Sequence, residues 1–198
     1  EGDDDRRREH GLGRDHRPRR EQEPERTERP GTRQEKVDRE PDDDWRQAFE
    51  VVTLNFVRFV RQVVPYMRAS RWGRIIGIQS SSVKEPVEGI DLSNGIRPGI
   101  AGLMKAIMPG LARDGITINL VLPGRFLTSR TSPGAGRSPE ADKALQEQLA
   151  PLAAAIPLGR FGEPIELGNV VAFLASQQAS YVTGAVYQVD GGSIKSNV

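Results

Sequence analysis

Cysteine is absent from the 198 residues, which excludes a disulfide framework and a thiolate zinc site. Histidine occurs only at His10 and His16, so nothing further along the chain offers an imidazole as acid, base or metal ligand. No apolar run approaches the ~20 residues that a membrane-spanning helix needs, and the N-terminus has no apolar signal core. A cytoplasmic protein without a membrane partner is the expectation. Large aliphatic residues are nearly missing from the beginning of the chain. Residues 1–44 hold 16 acidic and 12 basic residues, with Leu12 and Val37 the only sizeable aliphatic side chains. Such a stretch cannot bury enough apolar surface to offset its ordering entropy, so a disordered charged tail is predicted. Its net charge of −4 stands against +5 for residues 45–198. This mixed-sign tail is not a basic arm, which argues against a nucleic-acid partner. Its monotony in Arg, Asp, Glu, Gly and Pro also fits an out-of-frame translation of GC-rich DNA, which the upstream genomic sequence would test.

Residues 45–198 read differently. Asp42, Asp43 and Asp44 suit a helix N-terminus. After them Phe49, Val52, Phe56, Phe59, Val60, Val63 and Met67 recur at helical spacing from about Trp45 to Arg68. Pro65 is expected to bend or interrupt the last turns. Arg74–Ile78 has the apolar succession of a strand covered on both faces, and Ser80-Ser81-Ser82 ends it. A second helical stripe follows (Ile96, Ile100, Leu103, Ile107, Leu111), then a strand from Ile116 to Leu122 stopped by Pro123-Gly124. A small-residue stretch from Thr128 to Pro139 leads into a helical region ending near Ile156. Ile165–Ser176 gives a further helix and Ala185–Val189 a last strand. Alternating helices and strands with crossovers imply an α/β fold with parallel pairing and right-handed connections.

Four segments carry a resemblance. Pro123-Gly124-Arg125-Phe126-Leu127-Thr128, Val182-Thr183-Gly184 and Val189-Asp190-Gly191-Gly192, with the strand at Gly73-Arg74-Ile75-Ile76, resemble the C-terminal half of a short-chain dehydrogenase/reductase. The nearest likeness is to 3-oxoacyl-carrier-protein reductases. The resemblance implies a Rossmann-like, doubly wound parallel sheet, represented here by its C-terminal half only, over residues 45–198. It also implies NAD or NADP as cofactor, hydride transfer between a carbonyl and an alcohol, a small-molecule substrate, and a homo-oligomer whose interface includes the last strand. Pro123, Gly124, Phe126 and Thr128 then fall where such enzymes contact the nicotinamide end of the cofactor. Pro123-Gly124 alone is a strand terminator, and the later glycines serve tight turns. The stretch from Thr128 to Ala155 corresponds to the substrate lid. Its Ala, Leu, Gly and Pro content suits an apolar or acyl ligand, and equally a lid packed on its own core.

The catalytic positions depart from the family pattern. Counted without gaps from Gly73, the catalytic serine is Ser80, the tyrosine position holds Ser93 and the lysine position Arg97. A phenol titrates near ~10 and can be tuned towards working pH, whereas a serine hydroxyl is a far weaker acid. Arg97 keeps the positive charge and a fork suited to ribose hydroxyls, yet cannot release a proton. The assisting asparagine position falls on Val52, with Asn55 one turn later. The Ser93-Asn94-Gly95-Ile96-Arg97 pattern resembles a divergent subgroup of the family. Bland roles compete: Ser93 reads first as a helix cap near a start at Gly95, with Pro98 in the first turn. For Ser80 the order is reversed, since polarising a carbonyl needs only a hydroxyl donor. The family's glycine-rich pyrophosphate loop has no counterpart, because Gly11-Leu12-Gly13 follows no strand. Two readings follow: an oxidoreductase by resemblance, inactive as these residues alone, or a non-catalytic remnant that self-associates.

Overall fold

The structure, a computed structural model, describes residues 40–129, 131 and 138–197. The predicted disorder of residues 1–39 and most of the small-residue stretch before Pro139 lie outside the described residues.

Helical backbone runs unbroken from Asp42 to Ser70. It comprises α1 (Asp42–Phe49), a π-helical turn (Glu50–Leu54) and α2 (Asn55–Ser70). The three aspartates form the first turn, behind Pro41 at the N-cap, where their charge meets the positive end of the helix. Residues 42–44 therefore belong to the helix rather than to the tail in which the sequence placed them. Pro65 does not interrupt α2. Both Pro65 and Arg61, whose carbonyl loses its helical partner, are exposed, so water can take the missing bond.

Three parallel strands follow in the order β1-β2-β3: β1 (Gly73–Ile78), β2 (Ile116–Pro123) and β3 (Val186–Val189). Gly73 pairs with Ile116 and Leu120 with Val186. A 3-10 turn (Ser81–Val83), α3 (Asp91–Ile96) and α4 (Pro98–Ala112) connect β1 to β2. Then α5 (Pro139–Ala154), α6 (Pro164–Ala175) and a 3-10 turn (Gln177–Ala179) lead to β3. On one face Ile75, Ile118 and Leu120 pack with Val64 of α2 and with Ile100 and Met104 of α4. On the other, Ile76 and Val121 pack with Leu167, Val170 and Leu174 of α6. With both faces covered, Ile116–Leu122 is buried throughout, as its unbroken apolar run requires. The architecture is the expected α/β, Rossmann-like doubly wound sheet.

One expectation changes. Both crossovers step the same way across the sheet while α4 and α6 lie on opposite faces, so they cannot both be right-handed. Covering the second face takes precedence, since a parallel sheet left bare on one side would expose Ile76 and Val121.

Buried Asn119 explains the Val182-Thr183-Gly184 motif. Its Nδ2 donates to Val182 O at 2.9 Å and its Oδ1 accepts from Ala185 N–H at 3.0 Å. Thr183 Oγ1 accepts from Ile118 N–H at 3.1 Å, so the turn before β3 is fastened to the central strand. Each such bond contributes about 1 kcal/mol.

Candidate active site

The predicted residues gather at the C-terminal edge of the sheet, where open parallel sheets bind ligands. They form two groups, one after β1 and one after β2.

After β1 the chain turns at once. Gln79 N–H donates to Val121 O at 2.8 Å, and Ser80 caps the 3-10 turn by accepting from Ser82 N–H at 3.2 Å. Ser93 does not cap a helix. It is the third residue of α3, whose N-cap is Ile90, because the helix starts at Asp91 rather than near Gly95. Pro98 opens α4 at its N-terminus, with Arg97 as the junction between the two helices.

These elements bring four side chains into one chain of hydrogen bonds. Ser82 Oγ lies 2.9 Å from Ser93 Oγ. Arg97 Nε donates to Ser93 Oγ at 3.1 Å, and Arg97 Nη1 donates to Gln79 Oε1 at 3.0 Å. Ser82 is buried, at 3% exposure. Burial pulls the Arg97 guanidinium below its ordinary value, a direction that still leaves it charged at neutral pH. Ser80, Ser93 and Arg97 are thus neighbours in the fold, but the hydroxyl that meets Ser93 belongs to Ser82.

Asn94 holds the loop beside this cluster, bonding both backbone groups of Val87. Gly95 admits the Trp45 ring, since a Cβ there would lie 2.8 Å from it. The Ser-Asn-x-x-Arg spacing therefore places a hydroxyl, a loop clamp, a helix contact and a cation on one short segment. Arg97 and Gln79 also line a groove of about 350 Å³ between β1 and the first helix, together with Asn55 and Phe56. Val52, the position counted for the assisting asparagine, lines it as well.

The second group sits after β2. Pro123 pairs with Val189, and Gly124 N–H donates to Val189 O at 2.9 Å. Only glycine fits at position 124, because a Cβ would stand 2.6 Å from Asp190 Cα. Phe126 pairs with Gly162 in an isolated parallel bridge and borders a cavity of about 470 Å³ with Leu158, Gln188 and Val189. Thr128 N–H donates to Thr131 Oγ1 at 2.8 Å, and Thr131 Oγ1 donates to Phe126 O at 2.6 Å. The Thr128 backbone donor is thus already engaged, and its hydroxyl is shared with Thr131 at 3.2 Å.

Sequence reasoning missed Ser82 and Gln79 and left Asn55 without a place. The Ser80-Ser81-Ser82 run was visible, but nothing in it tells which hydroxyl turns inward once a 3-10 turn intervenes.

The chain matches, over residues 30–193, the protein family described as "Enoyl-(Acyl carrier protein) reductase", a match that starts within the segment assigned to the tail. It is 33% identical over 163 residues to the 3-oxoacyl-[acyl-carrier-protein] reductase FabG of Rickettsia felis, covering 79% of this chain and 61% of the relative. Against FabG of Pseudomonas aeruginosa the identity is 37% over 164 residues, covering 81% and 61%. Among solved structures, the L-sorbose reductase of Gluconobacter frateurii, complexed with NADPH and L-sorbose, superposes with a TM-score of 0.73. The two are 29% identical over 81% of this chain and 62% of the other. The chain belongs to the short-chain dehydrogenase/reductase family. It spans about three-fifths of the length of the curated relatives that it matches.

Proposed function

We propose that residues 45–198 carry the nicotinamide-facing and substrate-facing part of an NAD(P)-dependent oxidoreductase that interconverts a carbonyl and an alcohol in the cytoplasm. The observation that supports this most is the Ser82–Ser93–Arg97–Gln79 chain at the end of β1. Its donor set fits the cofactor's ribose and the substrate oxygen: a half-buried cationic fork lining a groove, next to a hydroxyl. Gly124, which lets the end of β2 approach Asp190, suits the neighbouring nicotinamide contact, with Pro123, Phe126 and Thr128 beside it. Among the described residues no glycine-rich turn joins a strand to a helix, so the fit extends to the nicotinamide end alone.

A nicotinamide bound here would supply or accept the hydride. Arg97 would hold the ribose hydroxyls, anchored by Gln79 so that little side-chain freedom would be lost on binding. Ser93, polarised by the Arg97 guanidinium, stabilises negative charge developing on the substrate oxygen. Ser80, whose Oγ accepts the Ser82 N–H, keeps its own proton to polarise the substrate oxygen. The 198 residues alone sustain no turnover, since they contain no pyrophosphate loop and no phenol at the Ser93 position.

Titration with NADPH, followed by the fluorescence of Trp45 and Trp72 and by melting temperature, tests the proposal. Arg97→Ala should weaken binding more than Ser93→Ala; equal affinities of wild type and Arg97→Ala would refute the role of Arg97. The second reading, a self-associating module without catalysis, is favoured by the exposed apolar edge beside β1, where Val51 is 60%, Phe59 60% and Ile78 53% exposed. Association through this edge with an intact site would unite the two readings in a homo-oligomer.

A further inference from the structure

Hydrogen counting around Ser82 and Ser93 fixes which hydroxyl donates. A serine hydroxyl has one proton and two acceptor lone pairs. The backbone N–H of Ser82 goes to Ser80 Oγ, and the Ser82 hydroxyl is within reach of Ser93 Oγ alone among the described residues. Because Ser82 is only 3% exposed, a proton turned away from Ser93 would be buried without an acceptor, a loss of about 1–3 kcal/mol. Ser82 therefore donates to Ser93. Arg97 Nε, which can only donate, occupies the other lone pair of Ser93 at 3.1 Å.

Both acceptor sites of Ser93 are then filled from inside the protein, and its own proton has no partner among the described residues. We propose that Ser82 is a positioning residue that makes Ser93 an obligate hydrogen-bond donor, so that the site prefers a ligand presenting a ketone oxygen to one without it. Two donors converging on one hydroxyl strengthen its O–H as a donor through cooperative polarisation. Arg97, which lines the adjacent groove, extends the same preference. Ser93 in this state cannot accept a proton, so it polarises an oxygen and forms no covalent bond. The assignment of donor direction stands on the geometry; the ligand class rests on the oxidoreductase reading above.

Two measurements on the full chain test the proposal. In proton NMR at low temperature, the exchange-protected hydroxyl should correlate with Ser82 Cβ, while the Ser93 hydroxyl exchanges with water. A protected hydroxyl correlating with Ser93 Cβ would overturn the donor assignment. Ethyl acetoacetate should shift the amide signals of Ser93 and Arg97 at roughly fivefold lower concentration than ethyl butanoate, which lacks the ketone, as expected for one net hydrogen bond. Ser93→Ala should erase this preference and Ser82→Ala should reduce it. Equal response to the two esters in the wild type would overturn the ligand class. If the preference holds while NADPH fails to bind, the oxidoreductase reading fails and the donor assignment survives.

Discussion

The carboxamide of Asn94 grips the backbone of Val87, its Oδ1 accepting from the N–H at 3.0 Å and its Nδ2 donating to the carbonyl at 2.7 Å. This is the pairing of a strand ladder, supplied by one side chain to a loop residue. The loop from Lys84 to Ile90 joins the Ser82 turn to the Ser93 helix, so the clamp sets the spacing between the two hydroxyls. Asn94→Ala should lower stability by about 1–2 kcal/mol in urea unfolding and broaden the signals of Ser82 and Ser93. Asn94→Asp, which keeps only the acceptor, should fall between. Wild-type stability in Asn94→Ala would mean that the loop is held elsewhere.

Two glycine substitutions should move stability in opposite directions. Gly124→Ala drives a Cβ to 2.6 Å from Asp190 Cα, which is backbone and cannot step aside, and should cost about 1–3 kcal/mol. At Gly102, in the middle of α4, a Cβ meets nothing within 4 Å, and Gly102→Ala should stabilise by about 0.5–1 kcal/mol. Thermal melts of the two variants check the pair.

At the start of α6, Glu166 accepts two bonds from Arg160, at 2.7 and 2.8 Å, and one from Glu163 N–H at 2.8 Å. The Arg160 hydrogen bond first, and the Glu163 backbone bond second, lower the Glu166 carboxyl from 4.5 to about 2. Its folded value lies below its unfolded one, so its contribution is fully present above pH 4.5 and is lost as pH falls towards about 2. The group is solvent-exposed, which keeps the effect modest. Glu166→Gln should flatten the stability profile between pH 4.5 and 2 relative to wild type; parallel profiles would contradict this assignment.

Much of the fold was legible because its signals are local. The apolar run Ile116–Leu122 and the stripe from Phe49 to Met67 announce a central strand and a covering helix. The three aspartates carried two readings, tail by charge and first turn by capping, and the helix takes them into its first turn. Pro65 misled because its cost depends on whether the freed carbonyl faces water, which only the packed helix decides. The candidate site was half legible. Ser93 and Arg97 came from the resemblance, as the family's tyrosine and lysine positions, whereas Ser82 and Gln79 depend on a 3-10 turn that buries the Ser82 hydroxyl beside Ser93. The hand of the crossover into β3 is a property of the whole sheet, not of any segment.

The outer edge of β1 pairs with no strand among the described residues, and the apolar side chains beside it are exposed. Such an edge favours pairing with another chain. The 198-residue chain should sediment as oligomers and bind a hydrophobic dye. Ile78→Lys, which places a charge at a residue that is 53% exposed, should reduce both. A sharply melting monomer that binds no dye would show that the edge is closed.

In the proposed function this chain holds the nicotinamide end of the cofactor. Reduced nicotinamide mononucleotide has that end without the adenylate portion, so the decisive comparison is its binding against that of NADPH on the 198-residue chain. Saturable binding of both is expected, with affinities within about tenfold, or ~1.4 kcal/mol, and weakened together by Arg97→Ala. No binding of the mononucleotide, or binding indifferent to Arg97→Ala, would contradict it.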